Sequence, residues 1–143
     1  AGLRVGYGYG PPALISLLNR ARAPFNVNLP GQRAAVAALG DLDFAGRSRR
    51  VNARERERFA ERVAALGLEF IPSAANFLTI RHPRASELND RLLRRGFIVR
   101  TLGPYAMPEY IRVTIGTPGQ MESFARVLAA EAEQLGAPAG GRS

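Results

Sequence analysis

Single arginines set inside apolar, β-branched runs are the residues of this sequence best suited to chemistry. Two of them lie within Phe97 to Thr117, FIVRTLGPYAMPEYIRVTIGT, where Arg100 follows Ile98 and Val99 and Arg112 stands between Ile111 and Val113. β-Branched residues favour strands, and Gly103, Pro104 and Pro108 punctuate the connection, so the stretch is predicted to form strand, loop, strand. Successive side chains of a strand point to opposite faces, which turns Arg112 away from Ile111 and Val113. It then faces either solvent, as half of a surface ion pair, or a cleft, where the planar fork of donors suits a carboxylate or a phosphate.

The remaining chemistry is sparse. There is no cysteine, which removes disulfides, thiolate catalysis and cysteine metal sites, and the lone His82 argues against a histidine-based metal site or catalytic dyad. No metal is expected, and His82, beside Pro83 and arginines, reads as a solvent-facing loop residue. All 20 basic residues are arginine and none is lysine. The net charge of +8 and pI near 11.3 invite a nucleic-acid reading. However, the longest basic run, RSRRVNARERERFAERVAALG, is interleaved with glutamates that repel phosphates, and its one aromatic residue, Phe59, falls on the apolar face rather than among the arginines where it could stack bases. It reads as a solvated helix face laced with weak ion pairs, and no nucleic-acid partner is expected.

The elements that must position the arginines follow from periodicity. With 143 residues and 46% hydrophobic content the chain can bury one core. No apolar run is long enough to span a bilayer and no basic-then-apolar leader opens the chain, so the expected location is cytoplasmic, with no membrane partner. Leu3, Val5 and Tyr7 alternate with Gly2, Arg4 and Gly6 as in a strand. Gly6, Gly8 and Gly10 do not complete a dinucleotide fingerprint, because Pro11 and Pro12 follow at once and no acidic residue lies about twenty positions on. Pro11 to Arg22 is predicted helical, Ala23 to Pro30 irregular, and Gln32 to Leu39 an alanine-rich buried helix. A long helix should start at Asp41, break near Gly46 and stop at Gly67, with Phe44, Val51, Phe59, Val63 and Leu66 near one face.

Beyond Gly67, Leu68 to Ile71 and Asn76 to Ile80 read as strands. Asn76, a polar residue at the head of an apolar run, either braces a neighbouring arginine or satisfies a turn. Ala85 to Arg95 forms a helix with Leu88, Leu92 and Leu93 inward and Gly96 as its stop. After the two arginine-bearing strands, Thr117 and Pro118 start a helix with Met121, Phe124, Val127 and Leu128 on its apolar stripe, running to about Leu135. The residues from 136 to 143 are expected to form a disordered tail. Helices alternating with short strands imply an α/β or α+β domain in which helices cover a small sheet.

Five segments in order, GLRVGYG at Gly2 to Gly8, PFNVN at Pro24 to Asn28, ANF at Ala75 to Phe77, LLRRGFIVR at Leu92 to Arg100 and YIRVTIGT at Tyr110 to Thr117, resemble the carboxyl-terminal part of histidinol-phosphate aminotransferases. These are fold-type I enzymes that use pyridoxal phosphate, and the resemblance reaches to about Leu135. It implies that residues 1–24 are a remnant of the large cofactor-binding domain and residues 25–135 the small domain that closes over substrate. It implies further that Arg4 binds the cofactor phosphate, that Arg112 holds the amino-acid carboxylate in one half-reaction and the substrate phosphate in the other, that Arg100 is a second substrate-pocket arginine, and that Asn76 supports the pocket. The intact enzyme would move an amino group between glutamate and imidazole-acetol phosphate in histidine biosynthesis, as a homodimer. Aromatic amino-acid aminotransferases and threonine-phosphate decarboxylases share much of the pattern, and a free-standing anion-binding regulatory module is the reading from another class. The Schiff-base lysine of the family falls five residues before the position of Ala1, so the chain is expected to be one part of a larger or split protein. It would then contain no catalytic residue, be inactive alone, and hold Ala1 to Pro24 displaced, frayed or paired with another chain.

Overall fold

The computed structural model describes residues 2–136 and divides into two compact units, Ala1–Gly46 and Arg47–Ser143. In the first unit, α1 (Pro12–Ala21) opens with a proline in its first turn, where the missing N–H has no helical partner to lose. Helix α2 (Leu29–Gly40) is capped by Asn28, whose side chain accepts from the Gly31 amide at 2.7 Å. The predicted strand over Leu3 to Tyr7 is not present: Gly2 and Leu3 turn, Arg4 takes a φ of +59°, and no regular structure follows before α1. A strand is a two-body object that needs a neighbour for its backbone groups, and the described residues of this unit supply none. The expected burial of Gln32 to Leu39 fails for a related reason. Among the described residues of this unit only Gly31 is buried; Val36 is exposed, and Leu39 stays exposed along an apolar groove of roughly 670 Å³ that Leu3, Val5 and Tyr7 also line.

Helix α3 (Leu42–Ala65) begins with the Asp41 carboxylate accepting from the Phe44 amide at 2.9 Å, and it runs through Gly46 without the expected break. One glycine costs a helix only about 1 kcal/mol, too little to interrupt 24 residues of otherwise good helix formers. Phe59 and Val63 are buried as expected, whereas Phe44 and Val51 are exposed. At the carboxyl end Gly67 turns with φ +71°, its amide bonding the Ala64 carbonyl and the Leu68 amide the Val63 carbonyl. That pair of bonds closes the helix and turns Leu68 into the core.

The second unit is built on a four-stranded antiparallel sheet of β1 (Phe70–Ile71), β2 (Phe77–Arg81), β3 (Arg100–Leu102) and β4 (Met107–Thr114), in the spatial order β1-β2-β4-β3. Helices α4 (Ala85–Arg94) and α5 (Pro118–Gln134) complete it. Leu78 and Ile80 of β2 and Ile111 and Val113 of β4 share one core with Leu88 and Leu92 of α4, Phe124 and Leu128 of α5, and Phe59 and Val63 of α3. Phe124 stands edge-on to both Phe59 and Phe97, with ring centroids 5.7 and 5.4 Å apart. Each fully buried Leu, Ile or Phe contributes about 1.5–3 kcal/mol of transfer free energy, so this cluster dominates the stability of the unit.

Two expectations are corrected here. Leu93 is 53% exposed, because the core stripe of α4 runs through Ala85, Leu88 and Leu92, and the next residue lies 100° further round. His82 is not a solvent-facing residue but 1% exposed. It prolongs the alternation of β2, with Ile80 inward, Arg81 outward and His82 inward again, and its amide donates to the Glu109 carbonyl at 2.8 Å. Its Nδ1 accepts from the Arg84 amide at 3.1 Å, which leaves Nε2 buried without a partner. Of the expected 136–143 tail, residues 137–143 lie outside the described residues, as does Ala1.

Candidate functional site

The sheet face opposite the Ile111 and Val113 side chains collects the sequence-predicted arginines of the second unit. Strand β4 pairs with a neighbour on each edge, and both registers meet at Arg112: Thr79 of β2 is its partner on one side and Arg100 of β3 on the other. Directly opposed residues of an antiparallel pair carry side chains on the same face with Cβ atoms about 4.5–5.5 Å apart, and like charges so placed repel. Arg100 and Arg112 are such a pair.

Neither guanidinium is neutralised by a described residue. Among the described residues no carboxylate lies within 4.0 Å of Arg100 or Arg112, whereas Arg54, Arg58, Arg62, Arg81, Arg84, Arg91 and Arg95 all have carboxylate partners. Arg81 makes the contrast sharpest, since it shares the outward face of β2. Its Nε and Nη2 donate to Glu109 at 3.0 and 2.9 Å and its Nη1 to Glu69 at 2.9 Å, bonds that raise its pKa above the ordinary arginine value. The charge of Arg81 is used inside the fold. No described carboxylate does the same for Arg100 or Arg112.

An aromatic ring stands beside each of these two arginines. The Arg112 guanidinium lies 5.1 Å from the centroid of the Phe77 ring, and its Nε is buried with no hydrogen-bond partner. The Arg100 guanidinium sits 5.3 Å from the Tyr105 ring centroid and donates from Nη2 to the Tyr105 hydroxyl at 2.6 Å. A ring at this distance attracts a guanidinium and helps to orient it while leaving N–H groups available for an anion. A buried N–H without an acceptor is costly in a folded protein, so the Nε of Arg112 marks a place where an anionic oxygen would be stabilised.

Asn76 lies at the head of β2 with its side chain exposed. Its carbonyl accepts from the Ile115 amide at 2.9 Å, extending the β2–β4 ladder one step beyond the Phe77–Thr114 pair and fixing the strand that carries the Phe77 ring. The loop ahead of it is tied to α3 by Arg56, which donates to the Ala75 carbonyl at 3.0 Å. Arg4 belongs to the first unit, where it is exposed at a left-handed backbone position. The structure therefore brings Arg100 and Arg112 together, sets Asn76 at the head of the neighbouring strand, and carries Arg4 in the other unit. Sequence reasoning passed over Phe77, Thr79 and Tyr105. An aromatic residue directly after Asn76 and another five residues after Arg100 were the available signals, but strand pairing is what connects them to the arginines.

Among the described residues no group of three or more His, Cys, Asp or Glu could hold a metal ion, and no helix is long and apolar enough to cross a membrane. Guanidinium groups can bind and orient anions, but they supply neither a nucleophile nor a general base.

Comparison with known proteins shows the family of the chain. Residues 1–128 match the aminotransferase class I and II family. The chain is 46% identical over 132 residues to histidinol-phosphate aminotransferase 1 of Cupriavidus pinatubonensis, covering 90% of this chain and 35% of that protein. It is 47% identical over 129 residues to the histidinol-phosphate aminotransferase of Moorella thermoacetica, covering 90% of this chain and 33% of that one. The crystal structure of the Sinorhizobium meliloti histidinol-phosphate aminotransferase in complex with pyridoxal-5'-phosphate superposes with a TM-score of 0.77 at 27% identity, over 87% of this chain and 35% of the other. The chain thus spans about a third of the length of the relatives it matches.

Proposed function

The chain belongs to the class I and II aminotransferases, and from that premise we propose that it is the substrate-anion-binding portion of a histidinol-phosphate aminotransferase. The observation that carries the proposal is the in-register pair Arg100 and Arg112, two unneutralised guanidiniums directly opposed on one sheet face. A repulsive pair of this kind is tolerated where an anion completes it. Glutamate offers a carboxylate and imidazole-acetol phosphate a phosphate, and both are groups that a guanidinium fork grips through parallel N–H donors.

In this reading Arg112, held over the Phe77 ring, takes the carboxylate of the amino donor in one half-reaction and the phosphate of the partner substrate in the other, and Arg100 supplies the adjacent donors. Asn76 supports the pocket by fixing the entry to β2. Residues 25–135 are the domain that closes over substrate, and residues 1–24 belong with the cofactor-binding part, where Arg4 meets the cofactor phosphate. When bound, pyridoxal phosphate supplies the electron sink for amino-group transfer. Of the groups it needs, this sequence offers a guanidinium for its phosphate and no lysine amine for its aldehyde. The contribution of these residues is therefore to bind and orient substrate anions, and amino-group transfer by this chain alone is not expected.

The test is a titration of the full chain with inorganic phosphate and with glutamate, followed by NMR. Saturable shifts centred on Arg100 and Arg112, lost in Arg112→Gln, are the expected result. Shifts scattered over the arginines of α3, or none, would refute the site, and turnover of glutamate above the rate with free cofactor would refute the inactivity of the isolated chain.

A further inference from the structure

The turn between β3 and β4 is built in an unusual way around Tyr105. Gly103–Tyr105 form a single 3₁₀ turn, closed by the Ala106 amide on the Gly103 carbonyl at 3.0 Å, and Ala106 is held at φ +58°, a region that alanine rarely occupies. The register slips in the same place: Thr101 pairs with Ile111, yet the next residue, Leu102, pairs with Met107. Strain and irregularity in a turn persist when surrounding contacts over-determine them. Here they return the Tyr105 ring to Arg100 while leaving the tyrosine 57% exposed, so burial is not what places it.

The hydrogen bond between the two side chains has a direction. A guanidinium has only donors, so the Tyr105 oxygen must accept from Arg100 Nη2. The phenol's own proton is then unused, and among the described residues the Tyr105 hydroxyl makes no other hydrogen bond. Accepting from a cation also polarises the O–H and makes it a better donor.

We propose that Tyr105 aims Arg100 and adds its hydroxyl proton as a further donor to a phosphate or carboxylate bound by the arginine pair. This rests on the anion site proposed above. Arg100 is on the exposed side of the pair and lacks the buried setting that fixes Arg112, so a long side chain with free rotamers would otherwise be ordered only when the ligand arrives. Ordering it in advance lowers that cost, and the phenol supplies a donor that a water molecule would otherwise occupy.

The experiment uses the full chain labelled with ¹⁵N, titrated with inorganic phosphate at constant ionic strength, for the parent protein, Tyr105→Phe and Arg112→Gln. Tyr105→Phe is expected to keep its amide spectrum outside the turn, to weaken phosphate binding about five- to tenfold, and to speed rotation of the Arg100 guanidinium in the absence of ligand. The last readout would not move if Tyr105 merely stabilised the turn. Phosphate affinity equal to the parent's, or unchanged Arg100 rotation, would overturn the role of Tyr105 while loss of binding in Arg112→Gln left the anion site standing. No phosphate-dependent shift at Arg100 or Arg112 in the parent would overturn both.

Discussion

The two faces of the β2–β4–β3 sheet share one backbone and differ in what completes them. On the helix-facing side Leu78, Ile80, Ile111 and Val113 meet α3, α4 and α5, and the chain itself supplies their surroundings. On the other side Thr79, Arg112 and Arg100 lie in one row, residue for residue between the core positions, and the row contains two positive charges with no carboxylate among the described residues. Arg81 shows that the fold can neutralise an arginine on that face, since Glu69 and Glu109 both reach it. The contrast separates two kinds of necessity. Core side chains fix where the strands run, and strand alternation then delivers Arg112 to the opposite face at a position that folding alone gives no reason to charge.

The strongest test of this division is to damage the supporting face. Phe124→Ala removes the ring that meets Phe59 and Phe97, and it should lower stability by about 3–5 kcal/mol, read as a reduced urea midpoint with little change in slope. A cost below about 1 kcal/mol would mean that the helix-facing side is not a packed core, and the division between faces would collapse.

A smaller effect should come from His82, the polar member of the supporting side. Burial, and next the charge of Arg84, hold its pKa below the ordinary value of 6.5. The folded state therefore binds this proton less readily than the unfolded chain, so stability is complete above about pH 6.5 and falls as the pH drops toward the lowered folded value. The slope for one proton is at most about 1.4 kcal/mol per pH unit. Urea midpoints from pH 8 to pH 5 should show it, and His82→Gln should flatten it. A slope unchanged in the variant would assign the effect to other groups. The carboxylates of Glu87 and Glu122, held below 4.5 by Arg84 and Arg91 and by Arg62 respectively, act at lower pH.

These cases also show what could be read from residues alone. The stripe of α5, Leu88 and Leu92 in that of α4, the capping signal at Thr117 and the glycine stops at Gly67 and Gly96 are local, and local patterns survive in a sequence. Arg112 opposite Ile111 and Val113 followed from alternation in the same way. What depended on a second segment did not follow. The pairing of Arg100 with Arg112 is set by the slipped register of the β3–β4 turn, and the fate of Leu3 to Tyr7 by whether a neighbouring strand is at hand. Alanine-rich α2 was expected to be buried because its composition is apolar, but composition says nothing of what covers it. His82 was misread beside Pro83 although it occupied the next inward position of β2, a signal that extending the alternation by two residues would have caught.

Gly96 sharpens the comparison at the next level down. Its φ of +84° ends α4 and swings the chain toward β3, and a Cβ added there would meet no atom within 4 Å. Gly96→Ala should therefore cost only the left-handed backbone penalty, about 1–2 kcal/mol, and leave phosphate affinity unchanged. A variant that kept its stability but lost affinity would show that the turn tunes the site directly rather than merely holding β3 in place.

The smallest expected change has the opposite sign. Arg112→Met removes one member of the repulsive pair and the buried Nε without a partner, while its thioether can still pack on Phe77. Relief of a directly opposed like-charge pair is worth about 0.2–1 kcal/mol, partly offset by the lost cation–π contact of about 0.5–1 kcal/mol, and freeing the unsatisfied N–H adds to the gain. The variant should be as stable as the parent or up to about 1 kcal/mol more so, with the difference larger at low salt because screening weakens the repulsion being removed. Phosphate binding should disappear. Paired urea titrations at low and high salt, run beside the phosphate titration, measure both quantities on the same protein. A clear loss of stability would mean that Arg112 serves the fold as Arg81 does, and the outward face would then be another part of the scaffold. A preserved or increased stability with lost binding is what a residue kept for its ligand, at the expense of the fold, must produce.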